Sequence, residues 1–400
     1  MGIHRRHALH RTKKTTISFW FIYVLSILFN FHGLLVAYSS STYMGQFATP
    51  EVIGALYTIG SALAVFSFLF ISRVLRKIGN VRLTLYMAVF EIVALVVLGL
   101  TINPATAIVA FVIFITLNPL IYLSIDIFSE SLIGNNETST GSKRGLTLTL
   151  MSLAATFAPI ALTLIVGDDD NNLYKTYLVS AGIFSLFIFI VLFKFKTFHD
   201  PTYKEVEVLK AIQSFWDKKD IRNVFLAHFT LQIFFSWMVI YLPLYLATEI
   251  GLPWTDIGSI IAVGLFAYVL LEYPVGILAD KYIGEKEMMA CGFLILAVSA
   301  SWISFMALAP VAGWMVLMFI SRIGASLVEA TTESYFFKHT KGTDANIMSF
   351  FRLTRPLAML VGALMGSTAL LYLPFELIFI VLGFAMVPGI FFTIALKDTK

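Results

Sequence analysis

The feature that most constrains the fold is a series of apolar stretches, each near twenty residues long, that follow one another along the chain. A helix needs about twenty residues to cross the hydrocarbon core of a bilayer, and non-helical backbone must leave the lipid to find hydrogen-bond partners. We predict spans over 19–42, 51–72, 81–101, 105–128, 145–166, 174–194, 222–247, 254–278, 288–308, 311–335, 344–370 and 374–395. The chain is therefore predicted to be an all-α polytopic membrane protein with twelve transmembrane helices.

Composition supports a membrane protein and excludes some site chemistry. Of the 400 residues, 58% are hydrophobic and 13% are charged, whereas soluble domains carry about 25% charged residues. Cys291 is the single cysteine, so the chain has neither an internal disulfide nor a cysteine metal cluster. We expect no metal and no cofactor.

The distribution of Lys and Arg predicts the orientation. Of 28 basic residues, 24 fall on one side of the predicted spans, and Lys175 falls on the other. Positive charge is retained on the cytoplasmic side, so both termini are predicted to be cytoplasmic. The net charge of +4 reflects this bias and does not indicate nucleic-acid binding. Without a targeting segment, we expect a multi-pass protein of the plasma (inner) membrane, in a bacterium.

The chain contains an internal repeat at a shift of about 204 residues. The segment 76–79, Arg-Lys-Ile-Gly, falls on 281–284, Lys-Tyr-Ile-Gly, and the acidic segment 126–131 falls on 329–334. Parallel repeats predict two pseudo-symmetric six-helix bundles with a substrate site at their interface. The predicted domains are an N-terminal bundle over 1–194, a cytoplasmic linker over 195–221 and a C-terminal bundle over 222–400.

One loop carries a family resemblance. The segment 276–286, Gly-Ile-Leu-Ala-Asp-Lys-Tyr-Ile-Gly-Glu-Lys, resembles the signature loop of the major facilitator superfamily (MFS), with one extra residue and an acid in place of an arginine. The N-terminal copy has Leu75 where the family has Asp. The resemblance implies the MFS fold, alternating access, and a cytoplasmic charge network that here involves Asp280 and Lys281.

Charged residues inside the spans predict a gate, because ionisable groups in a bilayer must be paired or hydrated. Span ten places Arg322, Ser326, Glu329 and Glu333 on one helical stripe, and span four does the same with Asn118, Tyr122, Asp126, Ser129 and Glu130. In the fold that the chain resembles, these spans approach spans five and eleven on the cytoplasmic side. Our hypothesis is that Asp126 or Glu130 pairs with Arg352 or Arg355, and Glu329 or Glu333 with Lys143 or Arg144. The alternatives are pairing within one bundle, or snorkelling to the interface.

Polar residues nearer the middle of the spans are candidates for substrate binding. The set is Asn30, His32, Asn118, Tyr122, His228, Gln232, Trp237, Tyr241, Arg322 and Ser326. For Arg322, the alternative to a cavity role is a structural pair with Glu329 or Glu333. Glu272, His32 and His228 are candidates for proton coupling, with hydrogen-bonded packing as the alternative for the histidines. Glu91 lies in span three, which is peripheral in this fold, so we expect it to pair locally.

These observations predict a secondary active transporter that moves a small solute, coupled to protons. The expected partners are a small-molecule substrate, protons and the lipid bilayer, with the protein a monomer. An enzyme is disfavoured, because the sequence shows no metal-ligand spacing, no nucleophile with a base and no phosphate loop. A uniporter, a lipid or drug exporter of the same fold, and a sensor that transports nothing remain alternatives.

Overall fold

The described part of the chain is almost entirely helical. The computed structural model describes residues 17–133, 137–203, 216, 218–339 and 353–397. They form α1 Trp20–Met44, α2 Pro50–Ile78, α3 Asn80–Leu100, α4 Pro104–Ile133, α5 Glu137–Val166, α6 Tyr174–Lys194, α7 Lys219–Thr248, α8 Trp254–Lys281, α9 Glu285–Ile303, α10 Val311–His339, α11 Thr354–Leu370 and α12 Ile378–Ile394. Short 3₁₀ turns precede α6, at Asp170–Asn172, and α12, at Phe375–Leu377.

The predicted fold class is confirmed. Eleven of these helices are long and apolar enough to cross a membrane, counted over the described residues. The other one, α11, has 17 described residues, and the residues before it, 340–352, lie outside the description. Several helices run past the predicted spans: α2 reaches Ile78, α4 reaches Ile133, and α5 begins at Glu137.

The repeat is visible in the backbone. Gly79 separates α2 from α3 with a φ of +79°, and Gly284 separates α8 from α9 with a φ of +106°. Both angles lie in the region that glycine adopts without a Cβ penalty. The two glycines are equivalent in the repeat, so the same backbone conformation precedes the third helix of each half.

Helix packing follows the same symmetry in the two halves. In the N-terminal half, α1 packs on α5 and α6, α2 packs on α4, and α3 packs on α4 and α6. In the C-terminal half, α7 packs on α11 and α12, α8 packs on α10, and α9 packs on α10 and α12. The halves meet where α2 contacts α11, α5 contacts α8, and α1 contacts α7.

The helices α3, α6, α9 and α12 lie away from the contacts between halves and present apolar side chains outward. Phe90, Phe189, Leu294 and Phe384 are all more than half exposed. A soluble protein rarely exposes such a surface, whereas a helix in lipid must have one. These four helices therefore form the lipid-facing periphery.

The hydrophobic cores differ between the two ends of the bundle. We call the end that carries Arg76, Lys77, Lys196, Lys286 and Lys338 the basic end, and the other the opposite end. Towards the opposite end, one core cluster contains buried residues from both halves. Towards the basic end, the N-terminal half has its own cluster around Phe128, and the C-terminal half has separate small clusters. The halves thus share a core at one end and separate at the other.

Candidate functional site

A cavity of about 770 Å³ lies between the two halves. Its lining comes from α1, α2, α4 and α5 of one half and from α7, α10 and α11 of the other. Near the basic end the lining includes Asp126, Glu130, Glu333 and Arg355, and in the other direction it reaches Ala37 and Tyr57, about two turns from the opposite end of α1 and α2. The cavity therefore extends from the basic end past the middle of the bundle.

Contacts between α2 and α11 close the opposite end. Ser367 in α11 donates a hydrogen bond to the carbonyl oxygen of Glu51 at 2.7 Å. A Cβ added to Gly54 would lie 2.8 Å from Ser367 Cβ and even closer to the Tyr241 hydroxyl. Only a glycine at this position allows the two helices such a close approach.

The second closing contact joins α5 and α8. A Cβ on Gly258 would lie 2.9 Å from the Pro159 carbonyl oxygen and would collide with the Thr163 side chain. At the helix ends, Thr255 donates a hydrogen bond to Asp168 at 2.5 Å. Each closing contact therefore pairs a glycine with a hydrogen bond between halves.

The deep part of the cavity presents neutral polar and aromatic groups. Asn30 donates its side-chain amide to the Met151 carbonyl oxygen at 2.6 Å, so that α1 is tied to α5 beside the cavity. Tyr122 lies 5.9 Å from the ring of Phe29, and both rings line the cavity. Asn118 lies one turn before Tyr122 on α4 and also lines the cavity. Such a surface can bind a small organic molecule through a few hydrogen bonds and aromatic contacts.

Arg355 lies close to several carboxylates at the basic end of the cavity. Arg355 lies 3.8 Å from Glu329 across α10 and α11, within the C-terminal half. Its guanidinium also lies 5.8 Å from the ring centroid of Tyr122, on α4 of the N-terminal half. Glu333 and Asp126 interact with the same charge electrostatically. Arg355 is therefore shared by the two halves.

His228 lines the cavity from α7 with partners in its own half. Its Nδ1 lies 3.1 Å from the Thr332 hydroxyl, and its Nε2 lies 3.3 Å from the side-chain amide of Gln232. Gln232 itself is buried behind the histidine and does not line the cavity. Of this pair, only His228 reaches the cavity.

Several predicted substrate residues lie outside the cavity lining. The Trp237 indole donates to the Gly362 carbonyl oxygen at 2.7 Å, and the Tyr241 hydroxyl donates to the Ala363 carbonyl oxygen at 2.7 Å, so both tie α7 to α11. His32 is buried inside the N-terminal half. Of the ten predicted substrate residues, those that line the cavity are Asn30, Asn118, Tyr122 and His228.

Arg322 and Ser326 are buried in α10 beyond the cavity. The Arg322 guanidinium lies 5.2 Å from the ring of Phe234 on α7, and it lies beside the Tyr38 hydroxyl of the other half. It also donates a hydrogen bond to the Ser321 hydroxyl at 3.4 Å, so its observed contacts come from both halves. A direct contact of Arg322 or Ser326 with substrate stays a prediction.

Some of the predicted residues lie outside the described part of the chain. Arg352 is not described at all, and the side chains are not described for Arg144, Glu272, Asp280 and Lys281. The other predicted gate cation, Lys143, stacks over the ring of Phe19 at 5.1 Å. No group of three His, Cys, Asp or Glu side chains in the described part of the chain could hold a metal ion.

Two carboxylates to which the sequence assigned no role secure the loops at the basic end. The buried Glu285, which replaces the family's arginine, forms an ion pair with Lys338 and accepts a hydrogen bond from Ser334 at 3.2 Å. In the predicted linker, Asp200 accepts hydrogen bonds from the Asn80 backbone N–H at 2.7 Å and from the Tyr203 hydroxyl. Burial, followed by this hydrogen bond and the charge of Asp200, raises the pKa of Tyr203. Asp200 thus supplies a carboxylate to the loop that has Leu75 in place of Asp.

A helical fold with a cavity between two halves is one that membrane transport proteins adopt. Residues 224–400 match the family model of the Major Facilitator Superfamily. By sequence the C-terminal half of the chain resembles this superfamily, and by fold nearly the whole chain resembles solved transporters. The resemblance seen in the signature loop is thereby confirmed.

Solved structures show the same architecture. A mutant of the nucleoside transporter NupG matches with a TM-score of 0.75 and 14% identity, over 95% of this chain and 100% of that chain. A POT family transporter in complex with 5-aminolevulinic acid matches with a TM-score of 0.75 and 16% identity, over 94% of each chain. A POT family transporter in complex with a thioalcohol-conjugated peptide matches with a TM-score of 0.70 and 16% identity, over 94% of each chain. At these identities the likeness concerns the fold. No protein with a curated description matches the sequence.

Proposed function

We propose that this protein is a secondary active transporter that carries a small organic solute by alternating access, driven by protons. The observation that supports this most is the cavity between the halves, which runs to the basic end and stops at the contacts that close the opposite end. A solute in such a cavity exchanges with one side of the membrane until the halves tilt against each other. The proposal includes no catalytic step.

The direction in which the cavity opens follows from the basic residues. Positive charge is retained in the cytoplasm, so the basic end is the cytoplasmic one. The structure then corresponds to an inward-facing state, with both termini in the cytoplasm. The proposed location of the protein is the inner membrane of a bacterium. A single chain supplies both halves of the cavity, so a monomer suffices for transport.

The lining favours a neutral or zwitterionic substrate. The deep part of the cavity offers Asn30, Asn118 and Tyr122, while Arg355 and the carboxylates lie nearer its basic end. A volume of about 770 Å³ suits an organic molecule rather than a bare ion. Nucleosides, 5-aminolevulinic acid and short peptides are the first solutes to screen, since transporters of this fold are described with them.

Arg355 is the proposed moving part of the cytoplasmic gate. It pairs with Glu329 inside its own half while the basic end is open. When the basic end closes, we expect Arg355 to move towards Asp126 of the other half, with which it already interacts electrostatically. This exchange of partners keeps the cation compensated in both states.

Uptake into proteoliposomes tests the proposal. The purified chain is reconstituted and assayed for uptake of uridine, 5-aminolevulinic acid and dialanine, with and without an inward proton gradient. We expect one of these solutes to accumulate with the gradient and the accumulation to stop when a protonophore is added. Uptake equal to that of protein-free liposomes for all three, in either gradient direction, would count against transport of this substrate class.

A matched pair of variants links uptake to the cavity. Tyr122→Leu removes a ring that lines the cavity, and Tyr86→Leu removes a tyrosine from the exposed face of α3. Loss of about 1.4 kcal/mol of binding corresponds to about a tenfold loss of affinity, so Tyr122→Leu should raise the KM for uptake about tenfold. The Tyr86→Leu control should have the KM of the wild type. Equal changes of KM in the two variants would show that the solute does not bind in this cavity.

A further inference from the structure

A buried ionisable cluster lies behind the cavity wall, inside the N-terminal half. Glu91 in α3 and His32 in α1 are both fully buried. The His32 Nε2 atom lies 3.9 Å from Glu91 Oε1, an ion-pair distance rather than a hydrogen bond. An ionised carboxylate in such a place is costly unless it is compensated. Two ionisable groups therefore face each other where an uncompensated charge is least tolerated.

The hydrogen bonds of Ser180 determine which nitrogen of His32 carries a proton. The Ser180 hydroxyl donates to the His32 backbone carbonyl oxygen at 3.0 Å. The same oxygen lies 3.2 Å from His32 Nδ1. A serine hydroxyl has one proton to donate, and here the backbone carbonyl receives it. Nδ1 must then be the donor to Ser180, and the neutral ring has its acceptor lone pair on Nε2.

The consequence is an acceptor facing an acceptor. Nε2 of the neutral ring and the ionised Glu91 carboxylate are both acceptors, so a hydrogen bond between them requires one added proton. Neither Nε2 nor Glu91 Oε2 has a hydrogen-bond partner among the described residues. One proton, held on the ring or on the carboxyl group, makes the pair neutral overall. Without it, Glu91 carries a buried negative charge.

Asn118 connects this pair to the cavity. Its side-chain amide donates to Glu91 Oε1 at 3.4 Å, and the same residue lines the cavity. A Cβ on Gly33 of α1 would lie 3.3 Å from the Asn118 Nδ2 atom, so the glycine leaves room for this amide. The amide thus stands between the buried carboxylate and the space that we assign to the solute.

We propose that His32 and Glu91 hold one exchangeable proton and that Asn118 couples its presence to the cavity. The inference rests on the transport function proposed above and names the site at which the driving proton binds. Loss of the proton to cavity water leaves a negative charge on Glu91. Among the described residues Asn118 donates a hydrogen bond to this carboxylate, so water must also reach Glu91 to stabilise the charge. Release is therefore favoured when α1 and α4 move during the tilt of the halves.

The surroundings of Glu91 contain few other groups that could compensate its charge. His32 of α1 is the titratable group that faces Glu91, and Asn118 of α4 is the polar group that faces it. On α6, Ser180 contacts the His32 imidazole, and the ring of Phe184 stacks on that imidazole at 3.9 Å. No charged side chain of α2 makes an ion pair or a hydrogen bond with Glu91 in the described part of the chain. The proton is thus the main counter-charge available.

Solid-state ¹⁵N NMR of the full chain in liposomes, with labelled histidine, tests the site without a substrate. His32 is assigned as the signal that is missing in His32→Asn. We expect a ring with Nδ1 protonated, and an Nε2 signal that moves across a pH series as the pair takes up and loses its proton. A ring protonated on Nε2 and bare on Nδ1, or an Nε2 signal that does not move, would overturn the proposal from the wild-type protein alone.

Glu91→Gln adds a second test. A glutamine can donate its amide N–H to Nε2 permanently, so the His32 signals should lose their pH dependence. Glu249→Gln, at an exposed position of the opposite end, is the matched control and should leave them unchanged. His32 signals that titrate equally in wild type and Glu91→Gln contradict the proposal.

Transport separates this inference from the proposed function. In proteoliposomes with uridine and dialanine, Glu91→Gln should abolish accumulation driven by the proton gradient and retain exchange of labelled for unlabelled solute. A wild type that transports neither solute under any gradient speaks against the proposed function, while the NMR result stands by itself. Gradient-driven accumulation that is undiminished in Glu91→Gln overturns the inference and leaves the transport function intact.

Discussion

The opposite end and the basic end of this molecule are held together by different kinds of contact. At the opposite end, Gly54 and Gly258 allow helices of the two halves to touch, and buried apolar residues form one core across them. At the basic end each half has its own core, and carboxylates, Arg355 and Tyr122 face a cavity. Apolar packing at short range resists small displacements. Polar groups that can exchange partners or be hydrated allow the halves to separate.

The comparison indicates which contacts the proposed alternating access must break. An opening at the opposite end has to separate two glycine contacts and two hydrogen bonds, from Ser367 to Glu51 and from Thr255 to Asp168. A closing at the basic end has to bring carboxylates and cations of different halves together. Both changes leave the packing inside each half intact, as expected for two rigid bodies.

The largest effect is expected from overpacking the opposite end. Gly54→Val places methyl groups where Tyr241 and Ser367 now lie. Overpacking costs about 1–3 kcal/mol, which corresponds to a shift of about 5- to 150-fold in a two-state population. We expect the closed opposite end to lose population. Electron spin resonance distances between labels at Gln46 and Glu249, in a Cys291→Ser background, should lengthen.

Gly182→Val is the control for this measurement. It makes the same substitution in α6, where an added Cβ would meet nothing within 4 Å. It should leave the distance between the labels unchanged. An unchanged distance in Gly54→Val as well would show that α2 and α11 do not close this end through their close approach.

A smaller effect is expected from Glu285→Gln at the basic end. The substitution removes a buried carboxylate that pairs with Lys338 and accepts from Ser334. Hydrogen bonds to charged groups contribute about 1.5–3 kcal/mol, and since the lysine is 45% exposed we expect a loss at the lower end of that range. The thermal unfolding midpoint should fall, while the label distance at the opposite end stays constant because the pair lies within one half.

Glu287→Gln is the matched control, since Glu287 is exposed on the same helix. Its unfolding midpoint should equal that of the wild type. If Glu285→Gln instead changed the label distance as much as Gly54→Val, the halves would not move as rigid bodies.

The smallest change in stability is expected at Arg355. The pair with Glu329 is partly exposed, and such pairs contribute about 0–1 kcal/mol. What tests the proposed gate is whether each variant opens or closes the basic end. Glu329→Gln should release Arg355 to the other half and favour closure of the basic end, whereas Asp126→Asn should favour opening.

Labels at Arg82 and Glu287, both exposed at the basic end, measure this change. Glu329→Gln should shorten the mean distance, and Asp126→Asn should lengthen it. Glu376→Gln, at an exposed position of the opposite end, serves as the control. Shifts of the same sign in the first two variants would contradict the exchange of partners proposed for Arg355.

The architecture could be predicted from the sequence because its signals are local. Twenty apolar residues need a helix in lipid, wherever the rest of the chain lies. Gly79 and Gly284 mark the start of equivalent helices because glycine alone adopts their backbone angles at little cost. The repeat and the signature loop then indicated the family. The division into bundles at 194 and 222 and the orientation in the membrane stay predictions.

The site was predicted less completely, because a polar residue in a helix does not reveal its neighbour. Asn30 and Asn118 were named and line the cavity, whereas Trp237 and Tyr241 were named on the same grounds and bond to the backbone of α11. The sequence assigned no role to Glu285 or Asp200, since their partners lie far away in sequence or in another loop. A helical stripe gives the face of a side chain but not the helix that covers it.

The sequence by itself therefore determined the number and nature of the helices, the repeat and the family resemblance, since these follow from hydropathy, glycine positions and a short motif. Only the tertiary structure decided which end is closed, which polar groups reach the cavity, and that Glu91 meets His32 and Asn118. The physical reason is that such contacts depend on the tilt and spacing of helices distant in the chain. Those are set by packing between whole surfaces and not by any local pattern.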